Sequence, residues 1–103
     1  MEECRRLEVW RLRDGRRLVL VVQSDLLLHL ETRVVVPLLP PGSFRPVEDI
    51  NPIVEVAGGT RVLAVQALSA IRRSELKVRV ASLDTDEETR IVLKALDRLL
   101  TTS

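Results

Sequence analysis

The chain reads as a mainly β domain, a small barrel or strongly bent sheet, with one α-helix laid across it at the C-terminal end. Three observations predict this class. Aliphatic runs of strand length recur from Arg5 to Val80, turn-forming residues separate them, and one stretch with helical spacing closes the chain. At 103 residues it is a single domain with a modest core, its strand-rich body at about 5–82 and its helix at about 85–100.

Arg5 to Leu12, RRLEVWRL, alternates with Leu7 and Val9 on one side, and Asp14-Gly15 offers the positive φ angles of a tight hairpin turn. The return strand runs from Arg17 to Gln23. Val34 to Leu38 is a third strand; Pro37 near its end marks an edge or a strand exit, because proline donates no ladder hydrogen bond. Leu39 to Pro52 carries four prolines and is a long loop. Ile53 to Val56 and Arg61 to Gln66 flank AGGT, a second hairpin turning at Gly58-Gly59. Ala67 to Ser74 is a connector, either a helical turn or a strand, and Leu76 to Val80 alternates as a half-buried strand does. Asp84 then caps a helix, with Glu87 three residues on as in a capping box and Asp86 to Glu88 on the positive end of the dipole. Ile91, Val92, Ala95, Leu96, Leu99 and Leu100 recur at helical spacing and form its apolar face.

Lys plus Arg number 16 against 15 Asp plus Glu, a balance that gives no general electrostatic attraction to nucleic acid or an anionic membrane. The charges are nonetheless segregated. Arg5, Arg6, Arg11, Arg13, Arg16 and Arg17 crowd the first hairpin, fit to touch phosphates or an acidic partner or, more commonly, to form solvated strand faces. Cys4 is the single cysteine, so neither an intrachain disulfide nor a thiolate metal cluster is available, which fits a reducing cytosol. The opening MEECRRLEVW is charged where a signal peptide is apolar, and no run approaches the ~18 apolar residues of a membrane span. A cytoplasmic, soluble protein is expected.

Catalytic constellations are thin. Asp25, His29 and Arg33, four residues apart, would share a face on a helix and could activate a 2′-hydroxyl of RNA, but strands bracket the segment and in a loop that spacing implies nothing. One His, one Cys and scattered carboxylates supply no metal-ligand spacing, so neither metal nor cofactor is expected. Gly58-Gly59 leads into a strand rather than a helix N-terminus able to hold phosphate. By elimination the chain acts by binding another macromolecule, not as an enzyme. The runs LVLVV and VVVPLL are apolar on both alternating faces, more than a sheet with one solvated side needs; homodimerisation is the economical explanation, and a strand buried under the helix on one face and a loop on the other is the alternative.

VVQSDLL, followed after a short loop by TRVVVPL, closely resembles the signature of the CcdB toxin family, in which a strand ends in Val-Gln-Ser-Asp, a variable loop follows, and the next strand begins Thr-Arg and ends at Pro-Leu. INPIVEV at Ile50 to Val56, VLAVQALSAI at Val62 to Ile71 and IVLKALDRLL at Ile91 to Leu100 continue the resemblance over nearly the whole chain. It implies an SH3-like, strand-rich homodimer of the CcdB–MazF type with Leu96, Leu99 and Leu100 on a helix face toward the dimer axis or a partner. It implies a toxin of a toxin–antitoxin pair, of the kind that serves plasmid maintenance, which binds the A subunit of DNA gyrase and is neutralised by a CcdA-like antitoxin. Under it Gln23, Ser24, Asp25, Thr32, Arg33 and Pro37 are structural, with Asp25 and Thr32 as loop hydrogen-bonders and Arg33 as an ion-pair former.

The family's gyrase-contacting end is an apolar tripeptide such as Trp-Gly-Ile, and the matching positions here are Thr101, Thr102 and Ser103. Large apolar anchors dominate interface energy, on the order of 2 kcal/mol or more for each hot spot, and Thr and Ser offer little such area. Two alternatives to a gyrase toxin therefore stand beside it: a homologue of the same fold inactive on gyrase, and an mRNA endonuclease of the related MazF type.

Overall fold

The computed structural model describes residues 3–101. Seven strands, β1 (Glu8–Leu12), β2 (Leu18–Val21), β3 (Thr32–Leu39), β4 (Ile53–Val56), β5 (Gly59–Leu63), β6 (Ser69–Arg72) and β7 (Leu76–Ser82), precede one helix, α1 (Asp86–Thr101). The strands form one antiparallel sheet in the order β4-β5-β3-β2-β1-β7, with β6 also paired to β3. The result is a mainly β half-barrel with one C-terminal helix, the fold class that the sequence predicts.

β3 organises the sheet because it is long enough to serve three partners. One edge carries β2, from Leu18↔Leu38 to Val21↔Val35. The other carries β6 along Thr32 to Val35 and β5 at Leu38 and Leu39. Pro37 lies inside this central strand, not at a sheet edge or strand exit, and it falls where β6 has ended and β5 begins. Its carbonyl, accepting the Ala64 N–H at 3.0 Å, faces that gap, so the ladder asks for no donor from the proline there.

The hairpins follow turn chemistry with two departures: in the first turn Gly15, at φ +146°, takes a positive angle and Asp14 does not, and the second turn moves by one residue. Ala57 and Gly58 hold φ angles of +49° and +81°, so they form the β4–β5 turn, and Gly59 opens β5 opposite Val56. The connector beyond β5 resolves into a 3₁₀ turn at Val65–Ala67 followed by β6. The proline-rich loop is pinned at its end by buried Asn51, whose Nδ2 donates to the Leu63 carbonyl at 3.0 Å and Gln66 Oε1 at 2.7 Å while its Oδ1 accepts from Val47 N at 3.0 Å.

The helix begins one residue later than the Asp84 cap. Thr85 Oγ1 accepts the Glu88 N–H at 3.1 Å and Glu88 Oε1 accepts the Thr85 N–H at 3.3 Å, a reciprocal capping box. Val92 and Ala95 enter the main core with Val9, Leu20, Val36, Leu63 and Val65, and Leu96 and Leu99 pack against it. Leu100 departs from the expected apolar face: it is 79% exposed, and with Leu93, seven residues earlier and 46% exposed, it lies on an outward strip.

A second cluster, of Cys4, Trp10, Val19, Val21, Val35 and Leu76, fills the other face of the sheet. β2 is therefore buried on both faces within one chain. The β2 run finds its cover within the protein, whereas Val34, Pro37 and Leu39 of the second run stay half-buried.

Candidate functional site

The segment between β2 and β3 is a loop whose backbone polar groups turn inward. Ser24 Oγ accepts the Leu26 N–H at 3.1 Å and starts a single 3₁₀ turn, Asp25–Leu27. Gln23, 7% exposed, donates from Nε2 to the carbonyls of Leu27 and Thr32 at 3.3 and 3.2 Å and accepts the Val34 N–H at 3.1 Å. Asp25 Oδ1 takes the Arg6 N–H at 2.8 Å. Thr32 contributes to this network through its carbonyl.

Arg33 completes it, through carbonyls and without an ion pair among the described residues. Its side chain is buried, 1% exposed, and donates to five contacts with backbone carbonyls: Nε to Cys4 at 3.1 Å, Nη1 to Leu30 and Thr32 at 2.7 and 2.8 Å, Nη2 to Glu3 and Leu28 at 2.8 and 3.1 Å. A guanidinium has five N–H donors, so this one is saturated. Carbonyl dipoles, rather than a carboxylate, solvate its charge.

With its carbonyls drawn inward, the loop carries its leucines outward. Leu26 is 87% exposed, Leu27 41% and Leu30 40%. The sequence reading missed these residues as candidates, although an apolar DLLLHL run inside a loop was a signal. The Asp25, His29 and Arg33 trio is not assembled: Asp25 is engaged with the Arg6 backbone, Arg33 is saturated, and His29 is exposed.

A second feature is a groove of about 660 Å³ between the first hairpin, the end of β3 and β6. Leu12, Leu18, Val35, Pro37, Leu38 and Ile71 are among its apolar lining, and Arg16, Arg17 and Arg61 are the charged residues that line it among the described residues. Arg17 is held by Asp14, whose hydrogen bond and charge raise its pKa further above the ordinary arginine value. Arg61 Nη1 donates to the Thr60 carbonyl at 2.9 Å and lies over Gly59, where a Cβ would stand 3.2 Å from it. Arg16 and Arg17 belong to the basic hairpin seen in the sequence. Arg61 joins them only through the pairing of β5 with β3, which no local motif announces.

Among the described residues no group of three or more His, Cys, Asp or Glu side chains is placed to hold a metal ion. No described helix is long and apolar enough to cross a membrane. Thr101 ends α1, and Thr102 and Ser103 lie outside the described residues.

A family model described as CcdB protein matches residues 6–102. The chain belongs to the CcdB family. Among solved structures this CcdB-family chain is similar to an endoribonuclease in complex with its cognate antitoxin from a mycobacterial species, at 17% identity and a TM-score of 0.79, with 96% of each chain covered. It is also similar to the Mycobacterium tuberculosis toxin MazF-mt6, at 16% identity and a TM-score of 0.74 over 90% of this chain and 94% of that one. The MazE–MazF structure from Deinococcus radiodurans matches at 18% identity and a TM-score of 0.72 over 96% and 95%. At these identities the likeness is one of fold. A search of curated proteins by sequence finds no match. Family and fold together support a toxin of a toxin–antitoxin pair.

Proposed function

We propose that this CcdB-family protein is a toxin that binds the A subunit of DNA gyrase through its leucine loop and is neutralised by a CcdA-like antitoxin. The observation that carries the reading is the combination at Leu26 of 87% exposure with a backbone locked by Gln23, Ser24 and Arg33. Fully burying a leucine is worth about 1.5–3 kcal/mol, and Leu26 has nearly all of its surface still to bury. A loop already ordered loses little conformational entropy on docking. Leu26 and Leu27 thus supply anchors of the kind that Thr101, Thr102 and Ser103 lack.

The arginine-rimmed groove suits the antitoxin, as an apolar floor bordered by cations fits a segment of leucine-like side chains flanked by carboxylates. The same composition disfavours the endonuclease reading. A guanidinium holds its proton at neutral pH and serves poorly as a general acid or base; among the described residues the groove's lining has no carboxylate or histidine, and the nearby Asp14 is engaged with Arg17. A homodimer remains part of the proposal, with Leu93 and Leu100 as the outward apolar strip of α1.

The test is Leu26→Asp. Its affinity for the gyrase A subunit, read by calorimetry, is expected to fall at least about tenfold, while the exposed position leaves thermal stability unchanged. An unaltered affinity would remove the loop from the interface.

A further inference from the structure

The leucine loop is held in place from outside itself. Five residues near the N-terminus, Glu3 to Leu7, run alongside it, and three hydrogen bonds and a long Arg5–Asp25 ion pair of 3.9 Å join the two segments. Arg33 Nη2 donates to the Glu3 carbonyl at 2.8 Å and Arg33 Nε to the Cys4 carbonyl at 3.1 Å, while the same guanidinium grips the loop carbonyls of Leu28 and Leu30. From the other side, the Arg6 N–H donates to Asp25 Oδ1 at 2.8 Å, within the loop's 3₁₀ turn.

The N-terminal segment is itself fixed in a demanding conformation. Cys4 and Leu7 have φ angles of +53° and +69°, a region that side-chain-bearing residues rarely adopt. Both are buried, Cys4 beside Trp10 and Leu7 in the main core. The Leu7 N–H reaches the Val21 carbonyl at 2.7 Å, and the Leu7 carbonyl accepts the Leu83 N–H at 2.8 Å. Such a conformation persists only where surrounding contacts over-determine it.

We propose that residues 3–7 are a strap that positions the leucine loop for its partner, with Arg33 and Asp25 as the positioning residues that join strap to loop. This rests on the reading of the leucine loop as the partner-binding surface. Loss of the strap's contacts leaves the same leucines on the surface but spreads the loop over several conformations, and apparent affinity falls with the fraction that remains competent.

Asp25→Ala tests this, because it removes the acceptor of the Arg6 N–H at an exposed position while leaving the leucines and both cores intact. Arg33→Gln is the second variant, which keeps two donors for the five carbonyl contacts. Hydrogen exchange of the amides at 26–31 is expected to quicken about tenfold in Asp25→Ala, with the amides of β2, β3 and β5 unchanged. Affinity for the gyrase A subunit should fall by a similar factor, while affinity for the antitoxin stays as in the parent protein. Unchanged exchange in the loop of both variants would overturn the strap. So would quickened exchange with unchanged gyrase affinity, since the partner would then be indifferent to the loop's order. If the parent protein binds no gyrase, the toxin reading fails by itself, and the exchange measurement still decides whether the strap orders the loop.

Discussion

The guanidinium of Arg33 serves carbonyls from two chain segments, so replacing it by methionine, which is apolar and unbranched, removes the side-chain donor of the Glu3, Cys4, Leu28 and Leu30 carbonyls and leaves Thr32 only its bond from Gln23. An unsatisfied buried polar group costs about 1–3 kcal/mol, and several are orphaned together. Arg33→Met is therefore expected to lower the unfolding free energy in urea by about 3 kcal/mol or more, and a loss under about 1 kcal/mol would show that water replaces the guanidinium freely. The Gln23-Ser24-Asp25 and Thr32-Arg33 positions were marked in the sequence by the family resemblance. That Arg33 binds carbonyls rather than a carboxylate was not, because every residue carries a carbonyl and none advertises itself as an acceptor. The exposure of Leu26 was hidden for a related reason: an apolar side chain normally signals burial, and only the inward turn of the loop backbone reverses it.

Strands bounded by turn residues were legible where alternation was strong, as in β1, β7 and the β4–β5 hairpin. β6 was not, since four residues with exposed Ser69 and Ala70 carry no periodic signal and owe their strand form to pairing with β3. The helix cap lies one residue beyond Asp84 because Asp84-Glu87 and Thr85-Glu88 both satisfy the capping-box spacing and the chain adopts the second. Thr85→Ala is accordingly expected to cost about 1 kcal/mol in thermal unfolding and Asp84→Ala only a few tenths, and the reverse order would return the cap to Asp84. The groove too is a product of elements, since the first hairpin brings Arg16 and β5 brings Arg61. Replacing both by serine should weaken antitoxin binding and flatten its dependence on salt, because screened charges carry that slope. Equal affinity and slope would leave the groove without an antitoxin role.

At the scale of the whole molecule, two apolar clusters cover the sheet on both faces, so a single chain already has the core its composition called for. Among the described residues the large apolar side chains left exposed include Leu26, Leu27 and Leu30 of the 24–30 loop and Leu93 with Leu100 on α1, besides the scattered Val47, Ile53, Leu68 and Val78. If the α1 strip joins two copies, Leu100→Lys shifts the light-scattering mass at micromolar concentration from dimer to monomer, and an unchanged mass would place any dimer contact elsewhere. The fold class and the family were legible because they rest on strand order and on a signature spread along the chain. The interaction surfaces were not, because exposure is a property of the assembled fold. The most direct test of the toxin reading is a supercoiling and cleavage assay with gyrase from the protein's own host, run with the parent chain and with Leu26→Asp. The account predicts that the parent stops supercoiling or traps double-strand breaks, and that Leu26→Asp, equally folded, does neither. Gyrase untouched by an excess of the folded parent protein would contradict it.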